Sequence, residues 1–394
     1  MGAKKQIKVL FRERDLRRLK VFVLGTRGFP YVQGGAEKHC EELYPRLAKL
    51  GCEITVFTRA PYIARKRRLS EWRGVRFFHL WCPRQKYLEA IIHTFLGVVI
   101  AASQSPDILH IHAIGPSLMV PLAKMLGLKV VVTNHGPDYQ RQKWGRFPKI
   151  ALKAGEFLGI KFSDKMIVIS KGIKDLVEKK GRRQGLELIF NGVNSPEILR
   201  PKETIARYGL TPRKYSFTAC RFVPEKGLHD LINAYLKLKD QQFKLVIAGD
   251  ADHETEYSRK IKKMAKEREE IILTGFISGR PLAELFSNAG LFVLPSYYEG
   301  LPIALLEALS YRLPVLVSDI PANREVPIPD FRFFPVGDTE ILSQKMVDLF
   351  QKGISQEEKI RNQELLAINY DWDVIAQKTH SIYASVITQL ITHP

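Results

Sequence analysis

Polar and apolar positions follow two alternating rhythms along this chain. Short apolar runs rich in Val, Ile and Phe recur at Lys20–Leu24, Glu53–Thr58, Val75–Leu80, Ile108–His112, Val130–Asn134 and Lys165–Ile169. Their length and β-branched content predict strands, most of them buried on both faces. Longer stretches with apolar positions on one helical face lie between them, at Ala36–Leu50, Tyr87–Ser103 and Pro116–Leu126. Strands that alternate with helices predict a parallel sheet covered on both sides.

The rhythm restarts after the Pro-containing stretch Asn194–Pro201, with strand runs at Ser216–Cys220, Lys244–Ala248, Ile271–Thr274, Leu291–Pro295, Val315–Ser318 and Arg332–Pro335. The economical reading is an α/β chain of two doubly wound, Rossmann-like domains, residues 1–194 and 195–371. Residues 372–394 hold a last amphipathic helix, Trp372–Leu390. Doubly wound sheets bind ligands beyond the carboxyl ends of their strands, so the cleft between the domains is the expected site.

Charge adds a direction to this picture. The 394 residues carry a net +20, and residues 1–190 alone hold 36 Lys and Arg against 15 Asp and Glu. That half carries +21 and the remainder −1. Such asymmetry points to a polyanionic partner for the first half: an anionic membrane surface, a lipid-phosphate substrate or nucleic acid. The four cysteines, Cys40, Cys52, Cys82 and Cys220, show no metal or redox spacing and imply a reduced, cytoplasmic setting. No signal peptide is evident. The longest apolar stretch, Leu88–Ala102, is interrupted by Glu89 and His93 and is shorter than the ~20 residues a bilayer span needs.

Three segments offer chemistry. The first, Gly25–Lys38, follows a strand and enters a helix; Gly34 and Gly35 let backbone approach a ligand, and a helix start offers free N–H groups to an anion. It is neither a dinucleotide fingerprint nor a Walker loop. In the second, Cys220–Gly227, Arg221 leaves a strand and Lys226 follows at a helix start, a pair of cations suited to a diphosphate. In the third, Pro295–Leu309, Glu299-Gly300 makes the turn and Glu307 lies within an otherwise apolar helix. A carboxylate there should face a polar ligand or a cation, such as ribose or sugar hydroxyls. His112 and His135 stand at strand ends, where groups facing the cleft would be placed; no metal-ligand spacing accompanies them, so no metal is expected.

Together these residues resemble the GT4 family of retaining glycosyltransferases, which have the two-domain GT-B fold. The resemblance rests on Gly34–Glu37, Asp107–His112, Ile167–Ser170, Phe190–Asn194, Arg221–Gly227, Ala248–Asp250, Gly275–Ile277 and the Glu299/Glu307 spacing, in order along nearly the whole chain. It implies that Gly34, Gly35, Arg221 and Lys226 hold the donor diphosphate, Asn191 borders the donor, Glu307 takes the ribose and Glu299 the transferred sugar. Gly300 and Leu301 would present backbone N–H groups, Phe276-Ile277 would receive the base, and His112 would support the reacting sugar. It also implies that the last helix crosses back to the first domain.

Thr26–Pro30 and His135–Gly145 resemble a bacterial subgroup that includes rhamnosyltransferases of surface polysaccharide synthesis, although Ala36 and Pro137 depart from its pattern. The implied donor is a nucleoside-diphosphate sugar such as a UDP- or dTDP-sugar, with no further cofactor. A glycan or polyprenyl-diphosphate-linked acceptor would enter past His135, Tyr139, Lys143 and Trp144. The protein would lie peripherally on the inner face of the cytoplasmic membrane. Two rival readings are an epimerase of the same fold, which needs no acceptor, and a basic nucleic-acid-binding protein, which leaves Glu299 and Glu307 unexplained.

Overall fold

The computed structural model describes residues 18–63, 68–85, 88–140, 145–181, 184–238, 243–252 and 254–388. Strands β1 (Lys20–Leu24), β2 (Glu53–Arg59), β3 (Glu71–Trp72), β4 (Val75–Leu80), β5 (Ile108–His112), β6 (Val130–Asn134), β7 (Lys165–Val168) and β8 (Leu186–Leu188) form one sheet. Their order is β3-β4-β2-β1-β5-β6-β7-β8, parallel throughout except where β3 pairs antiparallel with β4. Strands β9 (Tyr215–Ala219), β10 (Lys244–Ala248), β11 (Ile271–Gly275), β12 (Leu291–Leu294), β13 (Val315–Ser318) and β14 (Phe333–Phe334) form a second, wholly parallel sheet in the order β11-β10-β9-β12-β13-β14. β3 and β8 carry no long apolar run, and the sequence pattern does not predict them.

In both sheets β1 or β9 is central, and the strand order reverses beside it. Crevices therefore open at the carboxyl ends of β1, β5 and β6 in one domain and of β9 and β12 in the other. The central strands are wholly buried, because helices cover both faces. Each large side chain so buried contributes about 1.5–3 kcal/mol of hydrophobic stabilisation.

The final helix, Trp372–Thr388, belongs in space to the first domain. Trp372, Ile375, Ile382 and Tyr383 pack into the same core as Val21, Leu43, Tyr44 and Ile54. Tyr383 Oη lies 2.6 Å from His110 Nδ1, and Arg46 pairs with Asp373 at 2.8 Å.

Several contacts close the two domains on each other. Glu325 accepts the first two N–H groups of the helix Lys171–Lys179, from Lys171 at 2.7 Å and Gly172 at 2.8 Å. These are donors that a helix start otherwise leaves unpaired. A Cβ on Gly300 would lie 2.4 Å from the His135 carbonyl oxygen, so glycine is what lets the two backbones pass. Gly227 is the other indispensable glycine. Its φ of 63° is left-handed, and a Cβ there would come within 2.1 Å of the Pro295 carbonyl oxygen.

Candidate active site

The segment expected to bind an anion lies where β1 gives way to the helix Gly35–Lys49. Gly34 precedes that helix, and any Cβ on it would strike the Glu37 carboxylate and Arg27. Gly35 is exposed, with nothing within 4 Å of a Cβ position, so the helix start opens onto free space. A helix start so placed suits an anion by its dipole, although the Glu37 N–H is already taken by that residue's own carboxylate.

Arg27 organises this loop. Its Nε donates to Glu37 Oε1 at 3.0 Å, and its guanidinium also donates to the Gln33 carbonyl oxygen. Burial alone would push the Glu37 carboxyl up; the charge and hydrogen bonds of Arg27 outweigh it and hold the group near 2. Arg27 Nη1 reaches Asp252 Oδ2 in the other domain at 2.7 Å, and the same oxygen takes Arg221 Nη1 at 3.2 Å. Asp252 thus bridges two guanidiniums from facing strand ends. Sequence reasoning singled out neither Arg27 nor Asp252, although the place of Arg27 just after β1 was a usable signal.

Lys226 and Glu299, assigned separate ligands in the sequence, meet in the fold. Lys226 Nζ donates to Glu299 Oε1 at 2.5 Å, and Ser296 Oγ donates to the same oxygen at 2.6 Å. Lys226 comes from the turn after β9 and Glu299 from the turn after β12, strands that are neighbours in the sheet. Gly300 follows at the cleft, while the Leu301 side chain is buried in the core.

Glu307 lines a cavity of about 350 Å³ with Lys38, Gly192, Asn194, Arg280 and Tyr311. Burial raises its carboxyl to about 7; Lys38 offsets part of this, and the nearby Glu42 and Glu41 add to it. A carboxyl so perturbed and lining a cavity is a candidate ligand-binding group. Phe276 is exposed just beyond β11, and Ile277 packs against the core.

The histidines differ from expectation. His112 does not face the cleft. It is fully buried, with Nε2 on Tyr44 Oη and Nδ1 3.0 Å from His135 Nε2. β5 lies between covered neighbours, so its last residue points into the domain, and half-buried His135 at the end of β6 stands before it. Burial, then the neighbouring histidines, holds His112 well below the ordinary imidazole range. His39 from the first helix joins them, held near 3 chiefly by burial. Asn191 is buried and turned to His39, its Oδ1 2.8 Å from His39 Nδ1. The sequence shows no metal-ligand spacing, yet the fold gathers His39, His112 and His135 with one ring nitrogen from each within 4.8 Å of the others.

On the acceptor side, Tyr139 Oη accepts from Lys180 Nζ at 3.0 Å. Lys143 and Trp144 lie outside the described residues, as do Arg65, Lys66 and Arg67. Among the described residues, no helix is long and apolar enough to cross a membrane.

Two facing Rossmann-like domains, with cations and a carboxylate at the strand ends that border their cleft, define the GT-B class of glycosyltransferases. The matches are specific to a family within that class. Residues 202–365 match the family model described as "Glycosyl transferases group 1", and residues 33–195 match "Glycosyltransferase Family 4". The chain belongs to these GT4-like glycosyltransferases.

Among its relatives, the glycosyltransferase YqgM of Bacillus subtilis is 25% identical over 282 residues, 70% of this chain and 76% of that protein. TuaC of Bacillus subtilis, a glycosyltransferase named for teichuronic acid biosynthesis, is 26% identical over 229 residues, 55% of this chain and 54% of its own. The matched regions thus span between about half and three quarters of these relatives. Anabaena HepE, solved in complex with UDP-glucose, superposes with a TM-score of 0.76 over 93% of this chain and all of that one, at 16% identity, a likeness of fold.

Proposed function

We propose that the protein is a retaining glycosyltransferase that moves a sugar, rhamnose among the candidates, from a nucleoside-diphosphate donor to a glycan or polyprenyl-diphosphate-linked acceptor in surface polysaccharide synthesis. One observation carries the reading: Asp252 ties Arg221 to Arg27 beside the Gly34-Gly35 helix start, and Lys226 pairs with Glu299 between neighbouring strand ends. The donor complex of HepE supports a nucleotide-sugar donor, and the name of TuaC supports a polysaccharide product. The likeness of Thr26–Pro30 to rhamnosyltransferases supports rhamnose.

In this reading the bond between the sugar's anomeric carbon and the β-phosphate oxygen breaks, leaving charge on the diphosphate. Arg221, Lys226 and the helix start at Gly35 stabilise that charge, so transfer needs no metal. The acceptor oxygen bonds to the same face of the anomeric carbon, and its proton passes to the departing phosphate oxygen. Glu299 positions the sugar, Glu307 takes the ribose hydroxyls and Phe276-Ile277 borders the base. The buried His112 acts through His135, as a positioning residue.

The basic first half would hold the protein at an anionic leaflet, where each Lys or Arg gains about 1 kcal/mol. Replacing Arg65–Arg68 by Ser should lower co-sedimentation with phosphatidylglycerol vesicles. Unchanged binding removes that part of the proposal.

A thermal-shift screen with UDP, dTDP, GDP and ADP tests the donor reading. One nucleotide should stabilise the wild type, and Arg221→Ala should lose that shift. Product NMR in EDTA should then give the donor's anomeric configuration. No nucleotide response, an inverted product or a strict metal requirement would each refute the corresponding part.

A further inference from the structure

The histidines behind the cleft wall can serve a second role beside the positioning one given to His112 and His135. His39 stands on the first helix, His112 ends β5 and His135 follows β6, and the fold alone brings them together. His39 Nε2 is buried and has no hydrogen-bond partner. The cause is its other nitrogen: the Asn191 amide oxygen 2.8 Å away can only accept, so Nδ1 carries the proton. Nε2 is then a bare lone pair in the interior, an acceptor that costs about 1–3 kcal/mol to leave unpaired.

His112 is held in place by contacts at both ring nitrogens. Its Nε2 is engaged by Tyr44 Oη, which also meets His110 Nδ1 at 3.0 Å, and its Nδ1 faces His135 Nε2 at 3.0 Å. Oriented imidazoles with their outer nitrogens tied to an amide oxygen and a hydroxyl are the usual support of metal-bound histidine.

We propose that His39, His112 and His135 form a binding site for a divalent zinc-class cation in the wall of the first domain. Ligand nitrogens around tetrahedral zinc stand about 3.4 Å apart. The 3.0 Å between His112 and His135, and the 4.8 Å ceiling on the whole set, bracket that spacing. Half-buried His135 gives the cation a way in from the cleft. Three histidines leave a fourth position for water. The cation would tie the first helix to the ends of β5 and β6 through residues other than Arg221 and Lys226, so transfer without metal and cation binding are compatible.

The test uses tag-free protein stripped with EDTA and titrated with Co²⁺, read by its visible d–d absorption, followed by displacement with Zn²⁺. One equivalent should bind. His39→Gln and His135→Ala should each weaken binding at least tenfold, and Asn191→Ala about 10- to 100-fold with all three ligands intact. His380→Ala, in the final helix, should bind as the wild type does. Circular dichroism checks folding; if one ligand variant fails to fold, the other decides. No equimolar binding by the wild type overturns the site, and so does binding unmoved by a folded ligand variant. The readout needs neither donor nor acceptor, so its outcome is separate from that of the transferase reading.

Discussion

If Glu307 takes the donor's ribose, donor binding should depend on pH. Its carboxyl is raised from 4.5 to about 7, chiefly by burial. At about 1.4 kcal/mol per pH unit, ionising it in the empty cavity costs on the order of 3 kcal/mol. An acid with a raised folded value binds its proton longer in the native state than in the unfolded chain. That part of stability is whole below pH 4.5, falls as pH rises to about 7 and stays lost above it. Glu307→Gln should therefore be more stable than the wild type at pH 8, by up to about 3 kcal/mol, and nearly equal to it at pH 4.

A bound ribose should reverse the preference, because hydroxyls donate best to the charged carboxylate. If the ionised form binds, affinity should rise about tenfold between pH 6 and pH 8 and level off above. Calorimetry with UDP-glucose is a clean probe, since its diphosphate is a diester that does not titrate near neutrality. Runs in two buffers of different ionisation heat should show proton release near pH 6.5. Glu307→Gln should bind more weakly at pH 8, with no slope. A wild-type affinity flat from pH 6 to 8, or a slope kept in the Gln variant, would refute the ribose assignment.

Three further outcomes are expected. Arg27→Ala leaves the buried Glu37 without its partner and should cost about 3–5 kcal/mol in urea unfolding at pH 7. Because Glu37 sits near 2 in the fold, that cost should shrink as pH falls below 4.5 toward 2. Gly227→Ala must hold a left-handed φ with its Cβ against the Pro295 carbonyl; a loss of at least about 2 kcal/mol should appear as a lower Tm. Glu299→Gln keeps Arg221 and Lys226 and should lower kcat about 10²-fold with little change in nucleotide affinity, as measured by product formation and calorimetry.

Much of this protein was legible in its sequence because the information is local. Apolar runs such as Ile108–His112 and Lys244–Ala248 coincide with β5 and β10, since only buried parallel strands make use of such runs. Gly34-Gly35, Arg221, Lys226 and Glu299 could be placed at a cleft because residues that leave strand ends in doubly wound sheets face it. Short elements escaped: β3 and β8 gain their stability from pairing at sheet edges and have little pattern of their own.

Tertiary structure alone decided who meets whom. Asp252 joins Arg27 to Arg221 across 225 and 31 residues of chain, and Lys226 finds Glu299 because β9 and β12 are neighbours. His39, His112 and His135 share no motif; a helix and two strand ends converge to place them. Spacing along a chain reports distance only within one helix or strand, whereas the depth that holds Glu307 near 7 and pushes the His112 imidazole down exists only in the folded chain.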